Sequence, residues 1–259
     1  MRRELFAILL VGGCGSSDEN QASAPPDGGI SLGDSSFVDG SLPDGDKPRT
    51  DGGFAGADGA VYREDRFATG VVSVTYGECA GFGLPDMPNI VKGPPVGAGD
   101  DKGSFDVVSL GIGGEIVLTV EPNAIVDGPG PDFIVFENAF FAAGNPNQPA
   151  ADPGEVSVSE DGTTWKTFPC SPPDGGGASD YGTCAGWHPV YSAPDNGISP
   201  FDVTKAGGDK FDLSEVGLAK AKFIRIRDRS SSNCTGVMPK PNNGGFDLDA
   251  IAVINAENP

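Results

Sequence analysis

The stretch that decides the fold is Asp132-Phe133-Ile134-Val135-Phe136-Glu137-Asn138. In an extended chain successive side chains point to opposite faces, so Ile134 and Phe136 share one face. The other face carries Phe133, Val135 and Glu137. Both faces are largely apolar, which is typical of a central strand that is covered on each side or lies at the core of a sandwich. The sequence therefore predicts a buried strand at this point.

Six other stretches show the same pattern: short runs in which every second residue is apolar, bounded by Gly, Pro, Asn and Asp. The seven predicted strands are 70–76, 106–110, 115–120, 132–138, 155–159, 221–228 and 246–254. In the last of these, strict alternation puts one set of apolar residues on a single face, namely Phe246, Leu248, Ala250, Ala252 and Ile254. Only residues 213–222 are suited to a helical turn or two. Many strands joined by turn-rich connections predict an all-β fold, a β-sandwich.

Composition limits the function classes. The chain has 259 residues, of which 37% are apolar, enough for a core of its own. Forty Gly and 23 Pro argue against a helical bundle. With 37 acids and 17 bases the net charge is -20, so nucleic acid is not an expected partner. A single histidine, His188, excludes sites built on several imidazoles.

The N-terminus is typical of an export signal. Two arginines precede the apolar run 5–11, which is far shorter than the ~20 residues of a membrane-spanning helix. The following Val11-Gly12-Gly13-Cys14 resembles a bacterial lipobox, whose cysteine becomes the lipidated first residue of the mature protein. Gly15, where sorted lipoproteins of the inner membrane have Asp, implies the outer membrane by the same resemblance. An ordinary signal peptide with a chance cysteine is the alternative. We therefore expect a signal at 1–13 and a protein anchored to the membrane only through Cys14.

Residues 14–60 are predicted to form a disordered acidic linker. This segment repeats Asp-Gly and has scarcely any apolar residues, so it cannot bury enough surface to offset its ordering entropy. The folded domain is then expected at 61–259.

Four cysteines remain beyond Cys14, and an even number in an exported chain predicts disulfides. Three pairings are open. The preferred one joins Cys170 to Cys184 across a short Pro/Gly-rich loop and leaves Cys79 with Cys234. A zinc site is the alternative, although the chain has no Cys-x-x-Cys spacing.

Two blocks carry family resemblances. Residues 156–165, with the turn Asp161-Gly162 and Trp165 packing back over it, and residues 221–226 resemble strands of discoidin-like and other galactose-binding-like jelly rolls. Residues 127–138 and 243–251 resemble the signature blocks of bacterial exported "cell surface protein" sequences. These resemblances cover roughly residues 65–256 and imply a jelly-roll sandwich at the cell surface. They imply no catalytic constellation.

Several acids lie within or beside the apolar strands. Hard oxygen ligands at strand ends and tight turns suit Ca²⁺, so a structural calcium is predicted on Asp127, Asp132, Glu137, Asp247 and Asp249. Two alternatives are that these residues cap turns, or that Arg225 or Arg227 neutralises Glu137 and Asp247.

The loop after Cys184 carries two large aromatic residues and the lone histidine. In sugar-binding sandwiches, aromatic rings stack on pyranose faces while polar groups bind the hydroxyls. The predicted ligand-binding set is Trp187, Tyr191, Asp195, Asn196 and Arg229. The alternative is that the two aromatic residues fill a small core beneath the disulfide loop.

The sequence thus predicts a non-catalytic binding protein at the cell surface, with a glycan as the expected ligand. A structural or adhesive protein that binds a protein partner is the first alternative. A polysaccharide hydrolase, using paired carboxylates, is the second. No nucleophile elbow, zinc-protease helix or phosphate loop occurs in the chain, so an enzyme is not expected.

Overall fold

Two antiparallel sheets face each other across the main hydrophobic core. The computed structural model describes residues 47–56, 59–171, 183–230 and 242–259, which all belong to one compact unit. The strands are β1 Arg49–Thr50, β2 Gly53–Ala55, β3 Val61–Tyr62, β4 Gly70–Thr75, β5 Val108–Ser109, β6 Glu115–Thr119, β7 Ile125–Val126, β8 Phe133–Glu137, β9 Phe140–Phe141, β10 Pro149–Ala150, β11 Gly154–Ser159, β12 Lys166–Thr167, β13 Asp209–Phe211, β14 Lys220–Ala221, β15 Phe223–Asp228 and β16 Asp247–Val253. The helical segments among the described residues are short 3-10 turns, at Glu64–Arg66, Leu84–Asp86, Ala142–Gly144 and Leu213–Val216.

The larger sheet has the order β12-β11-β15-β6-β4 and the smaller one the order β13-β8-β16-β5. All pairings in both sheets are antiparallel. Each of the seven predicted strands corresponds to an observed one, so the all-β prediction is confirmed. The expected helical turn at 213–222 is confirmed in its first half, since β14 occupies the second.

The strand β8 is buried along its whole length, as predicted for a central strand. Phe133 and Val135 belong to the main core between the sheets, together with apolar side chains of β6, β11 and β15. Ile134 and Phe136 belong to a second cluster on the outer face of the smaller sheet. Because both faces are covered, neither set of alternating side chains meets water.

Strict alternation fails in β16. A bulge at Asp249 shifts the register, because Leu248 pairs with Glu137 while Ala250 pairs with Phe136. Leu248 therefore lies in the main core and Ala250 in the second cluster, not on one face as predicted. Bulges insert one residue and re-aim the side chains around it, which a period-two pattern cannot reveal.

The predicted linker boundary at residue 60 is too late. Strands β1 and β2 form a hairpin whose turn is Asp51-Gly52, with Gly52 at φ 107°. Phe54 of β2 is 2% exposed and packs edge-on against Phe67, with ring centroids 5.7 Å apart. The Asp-Gly pair is therefore a hairpin turn here, and the domain begins no later than Lys47. The expected signal at 1–13, Cys14 and the rest of the linker before Lys47 lie outside the described residues.

The disulfide between Cys170 and Cys184 is present, which confirms the preferred pairing for these two residues. It removes both thiols from any zinc site. Cys79 is also disulfide-bonded, while Cys234 lies outside the described residues. Within the described ranges, no helix has the length and apolar character needed to cross a membrane.

Candidate functional site

The loop that carries the predicted ligand-binding aromatic residues is held by hydrogen bonds to β13. Asp209 Oδ2 accepts from the backbone N–H groups of Gly186 at 2.7 Å and Trp187 at 3.0 Å. Asp209 Oδ1 lies 2.6 Å from His188 Nδ1. Further along, Val190 is buried and forms bridges to two neighbouring segments. The backbone beneath Trp187 and His188 is therefore fixed by a buried carboxylate.

The same loop leaves its large side chains partly exposed. Tyr191 is 37% exposed, the His188 side chain is 48% exposed, and Trp187 is half-buried. Val190 lies between them and is buried in the second cluster, and the Nε1 atom of the half-buried Trp187 is buried as well. The alternative of a small core therefore holds for Val190 and in part for Trp187, but not for Tyr191.

Asn196 has a structural role within this loop. Its Nδ2 donates to the Tyr191 carbonyl at 2.6 Å. Its Oδ1 accepts from the backbone N–H groups of Ala193 at 3.2 Å and Ile198 at 3.0 Å. The side chain that the sequence assigned to ligand binding thus fixes the turn that carries Tyr191.

Asp195 and Arg229 have different surroundings. Asp195 is exposed in the loop beside Asn196. Arg229 follows β15, where its guanidinium lies 3.7 Å from the Glu155 carboxylate of β11. Four of the five predicted ligand-binding residues therefore share one loop, and the fifth is ion-paired on the larger sheet.

The five predicted calcium ligands do not form one site. Asp132 precedes β8 and Glu137 ends it, so the rise of an extended chain separates them by roughly 16 Å. Asp127 lies near Asp132, whereas Asp247 contacts Glu137 and Asp249 lies in the bulge of β16. They cannot all bind one ion.

Asp127, Asp132 and Asp212 offer carboxylate oxygens that lie within 4.8 Å of one another. Asp212 was missed because it is distant in sequence and sits on the turn after β13. Asp132 is fully buried, and its oxygens accept three hydrogen bonds, from Gly128 N–H, Leu213 N–H and Asn255 Nδ2. Asp132 therefore caps the backbone at Gly128 and Leu213, but it does so from the interior, whereas the turn-capping alternative expected it to point to water.

Glu137 and Asp247 contact each other where β8 ends and β16 begins. Glu137 is 3% exposed, its Oε1 accepts from the Asp247 N–H at 3.3 Å, and its Oε2 is buried without a hydrogen-bond partner. The Asp247 carboxylate accepts from the Ser109 hydroxyl and from the Asn138 side chain. Burial raises the pKa of Asp247 to about 7. Burial, together with the Asp247 charge, raises the pKa of Glu137 well above its usual value.

Two further acids complete this buried acidic cluster, which we define as Glu137 and Asp228, both buried, with Asp152 and Asp247, both half-buried. Burial also raises the pKa of Asp152, to about 6. Asp228 accepts from the backbone N–H groups of Phe246 at 2.9 Å and Gly113 at 2.8 Å. Asp152 and Asp228 were missed because nothing in their local sequence marks them as neighbours of Glu137.

The predicted arginine partners of the cluster are engaged elsewhere. Arg227 pairs with Glu115, with an Nη2 to Oε2 distance of 2.7 Å. Arg225 stacks on Trp165, with its Cζ 4.6 Å from the ring centroid. The prediction that Arg225 or Arg227 neutralises Glu137 and Asp247 is therefore wrong.

Asp249 has a different neutralising group, which the sequence did not indicate. Lys47 Nζ lies 3.5 Å from Asp249 Oδ1 and 3.2 Å from Asp106 Oδ2. Val96 N–H donates to both Asp249 oxygens, at 3.0 and 3.2 Å. Burial raises the pKa of Asp249 to about 7, although Lys47 opposes that shift. These contacts explain Asp249 without a metal ion.

Comparison with known proteins adds no family to this description. The chain matches no protein-family model and no curated protein.

Proposed function

We propose that this chain is an exported lipoprotein, anchored to the outer membrane through Cys14, whose β-sandwich binds glycans at the cell surface without catalysis. The finer fold assignment, a galactose-binding-like jelly roll, belongs to the same proposal and rests on the sequence resemblances. The proposal gains support from one observation above all. The loop at 186–197 presents partly exposed aromatic rings on a backbone that Asp209 and Asn196 fix in place.

A fixed aromatic loop is suited to a sugar because little conformational entropy is lost when the ligand binds. Trp187 and Tyr191 offer apolar faces for a pyranose ring, while His188 and Asp195 offer polar groups for its hydroxyls. The paired acids give less support to a hydrolase. A glycosidase needs both carboxyl groups to flank the scissile bond, whereas Glu137 is 3% exposed.

Trp187→Ala is expected to weaken glycan binding about tenfold or more, because removal of a central aromatic contact costs that much in typical binding sites. The measurement is a glycan-panel screen with the full-length chain, followed by titration calorimetry on each hit. Phe105→Ala is the matched control, since Phe105 is 74% exposed on another loop. This control should bind within about twofold of wild type.

Two results would contradict the proposal. Equal glycan affinity of Trp187→Ala and wild type would exclude this loop as the site. If no glycan binds and a surface protein is captured through the same loop, the adhesive alternative replaces the glycan.

The predicted Ca²⁺ stays a prediction, and we propose Asp127, Asp132 and Asp212 as its ligands in place of the five residues predicted from the sequence. The Asp127, Asp132 and Asp212 oxygens lie within 4.8 Å of one another, a spacing that suits Ca²⁺–oxygen distances of about 2.4 Å. A bound ion would stabilise the native state by mass action, so excess Ca²⁺ should raise the midpoint of thermal unfolding relative to chelator. Asp127→Asn should abolish that shift. If the thermal unfolding curves of the wild type coincide with Ca²⁺ and with chelator, the calcium prediction is wrong.

A further inference from the structure

The outer face of the larger sheet carries a row of polar side chains that the proposed loop site does not use. Strand pairing places Thr167 of β12, Ser157 of β11 and Arg225 of β15 directly side by side. Their neighbours in sequence on β11 and β15, such as Ile224 and Val156, point into the main core. The row therefore faces away from the core, on the opposite side of the larger sheet.

Arg225 is held in one orientation within this row. Its guanidinium stacks on Trp165, and its Nη2 donates to Ser157 Oγ at 3.3 Å. Ser157 Oγ is in turn 3.0 Å from Thr167 Oγ1. Stacking and hydrogen bonding fix a side chain that would otherwise lose considerable rotamer freedom on binding a ligand.

Arg225 also differs from every other arginine in the described residues by its partners. The other five have a carboxylate or a backbone carbonyl as acceptor, and they are Arg49, Arg63, Arg66, Arg227 and Arg229. The hydrogen bond to Ser157 uses one of the five N–H groups of the Arg225 guanidinium, and none of the carboxylates in the described part of the chain pairs with it.

The charge of this face is unusual for so acidic a chain. Arg225, Arg227 and Arg229 alternate along and just beyond β15, and two carboxylates, Glu115 and Glu155, pair with the second and third arginine. Three arginines and two carboxylates leave one positive charge in excess on this face, and among the described residues Arg225 is the arginine without a carboxylate. The whole chain, by contrast, has a net charge of -20. A planar guanidinium with free N–H groups binds a carboxylate with two parallel hydrogen bonds.

We propose that Arg225 and Trp165 form a second binding site, which takes the carboxylate of a uronic acid residue in an acidic glycan. Ser157 is 1% exposed, so it positions Arg225 from beneath and does not contact the ligand. The carboxylate pairs with the free edge of the guanidinium, while the hydroxyl of Thr167 and the flanking indole contact the sugar. The choice of a glycan as carrier of the carboxylate rests on the proposed function. The site itself is separate from the aromatic loop, because that loop contributes Val190 to the cluster on the outer face of the smaller sheet.

The test is titration calorimetry of the full-length chain at low ionic strength, with oligogalacturonate and its methyl ester as probes. The two probes share every sugar contact and differ in charge. We expect saturable binding of the acid and at least tenfold weaker binding of the ester, because a hydrogen-bonded ion pair is lost. Arg225→Gln should weaken oligogalacturonate binding at least tenfold, and Arg225→Lys should restore only part of it.

Arg227→Gln is the matched control, since Arg227 lies two residues along the same face but is paired with Glu115. It should bind oligogalacturonate within about twofold of wild type, and thermal unfolding of each variant verifies that it is folded. Equal affinity of acid and ester, equal affinity of wild type and Arg225→Gln, or no saturable binding of the acid would overturn the inference. If a neutral glycan still binds through Trp187 in that case, the proposed function stands and this second site fails; if no glycan of either kind binds, both fail.

Discussion

Lys47→Met is expected to lower the free energy of unfolding by about 3 to 5 kcal/mol, because it leaves buried carboxylates without their cation. Lys47 is 6% exposed and Asp249 is 1% exposed, so water cannot replace the lost ammonium group. Methionine keeps the length and apolar stem of lysine, which limits the change to the charge. The measurement is urea unfolding of the full-length chain, followed by tryptophan fluorescence.

Three comparisons make this prediction specific. Lys102→Met, at an exposed lysine, should change stability by less than about 0.5 kcal/mol. The double variant Lys47→Met with Asp249→Asn should recover part of the loss, since the amide oxygen still accepts from Val96 N–H. The deficit of Lys47→Met should also be smaller at about pH 5 than at about pH 8, because protonated Asp249 needs no cation.

A result within about 1 kcal/mol of wild type would mean that Lys47 is solvated, as a linker extending to residue 60 would require. The experiment therefore tests the corrected domain boundary as well as the ion pair.

Local pattern was enough to place the strands but not to find their distant partners. The strand β8 was predictable because its successive residues are largely apolar on both alternating faces, and all five are buried. The hairpin of β1 and β2 was not predictable, because its turn has the same Asp-Gly sequence as the repeats of the linker and Phe54 is a lone apolar residue. Its burial depends on Phe67, which only the folded chain brings close. The bulge at Asp249 likewise follows from pairing with β8 rather than from any local signal.

The candidate sites divide in the same way. The aromatic loop was recognisable because four of its predicted residues lie within ten positions of one another. The buried acidic cluster and the row at Arg225 were not, since each is assembled by cross-strand register. Period-two alternation does place Ser157 and Arg225 on outward faces of their strands, yet it cannot tell that β11 and β15 are neighbours.

The second large effect is a loss of stability as the pH rises from about 5 to about 7. The pKa of Asp247 is raised to about 7 and that of Asp152 to about 6, while both would lie near 4 in the unfolded chain. Between these values the folded state holds protons that the unfolded state has lost. The contribution of these two groups to stability is therefore fully present below about pH 4 and is lost as the pH rises to the folded pKa values. Asp247 alone accounts for on the order of 2 kcal/mol of this loss between about pH 5 and about pH 7.

Asp247→Asn should flatten this pH dependence, because the variant has no proton to lose at that position. The matched control is Asp161→Asn, at the turn between β11 and β12. Backbone N–H groups of Thr164 and Thr163 hold the pKa of Asp161 below its usual value, so that group is ionised throughout the range in both states. Its replacement should lower stability equally at each pH and leave the slope unchanged. Urea unfolding at a series of pH values measures both slopes. If stability rises with pH, or if Asp247→Asn keeps the wild-type slope, Asp247 does not hold a proton in the folded protein across this range and the prediction is wrong.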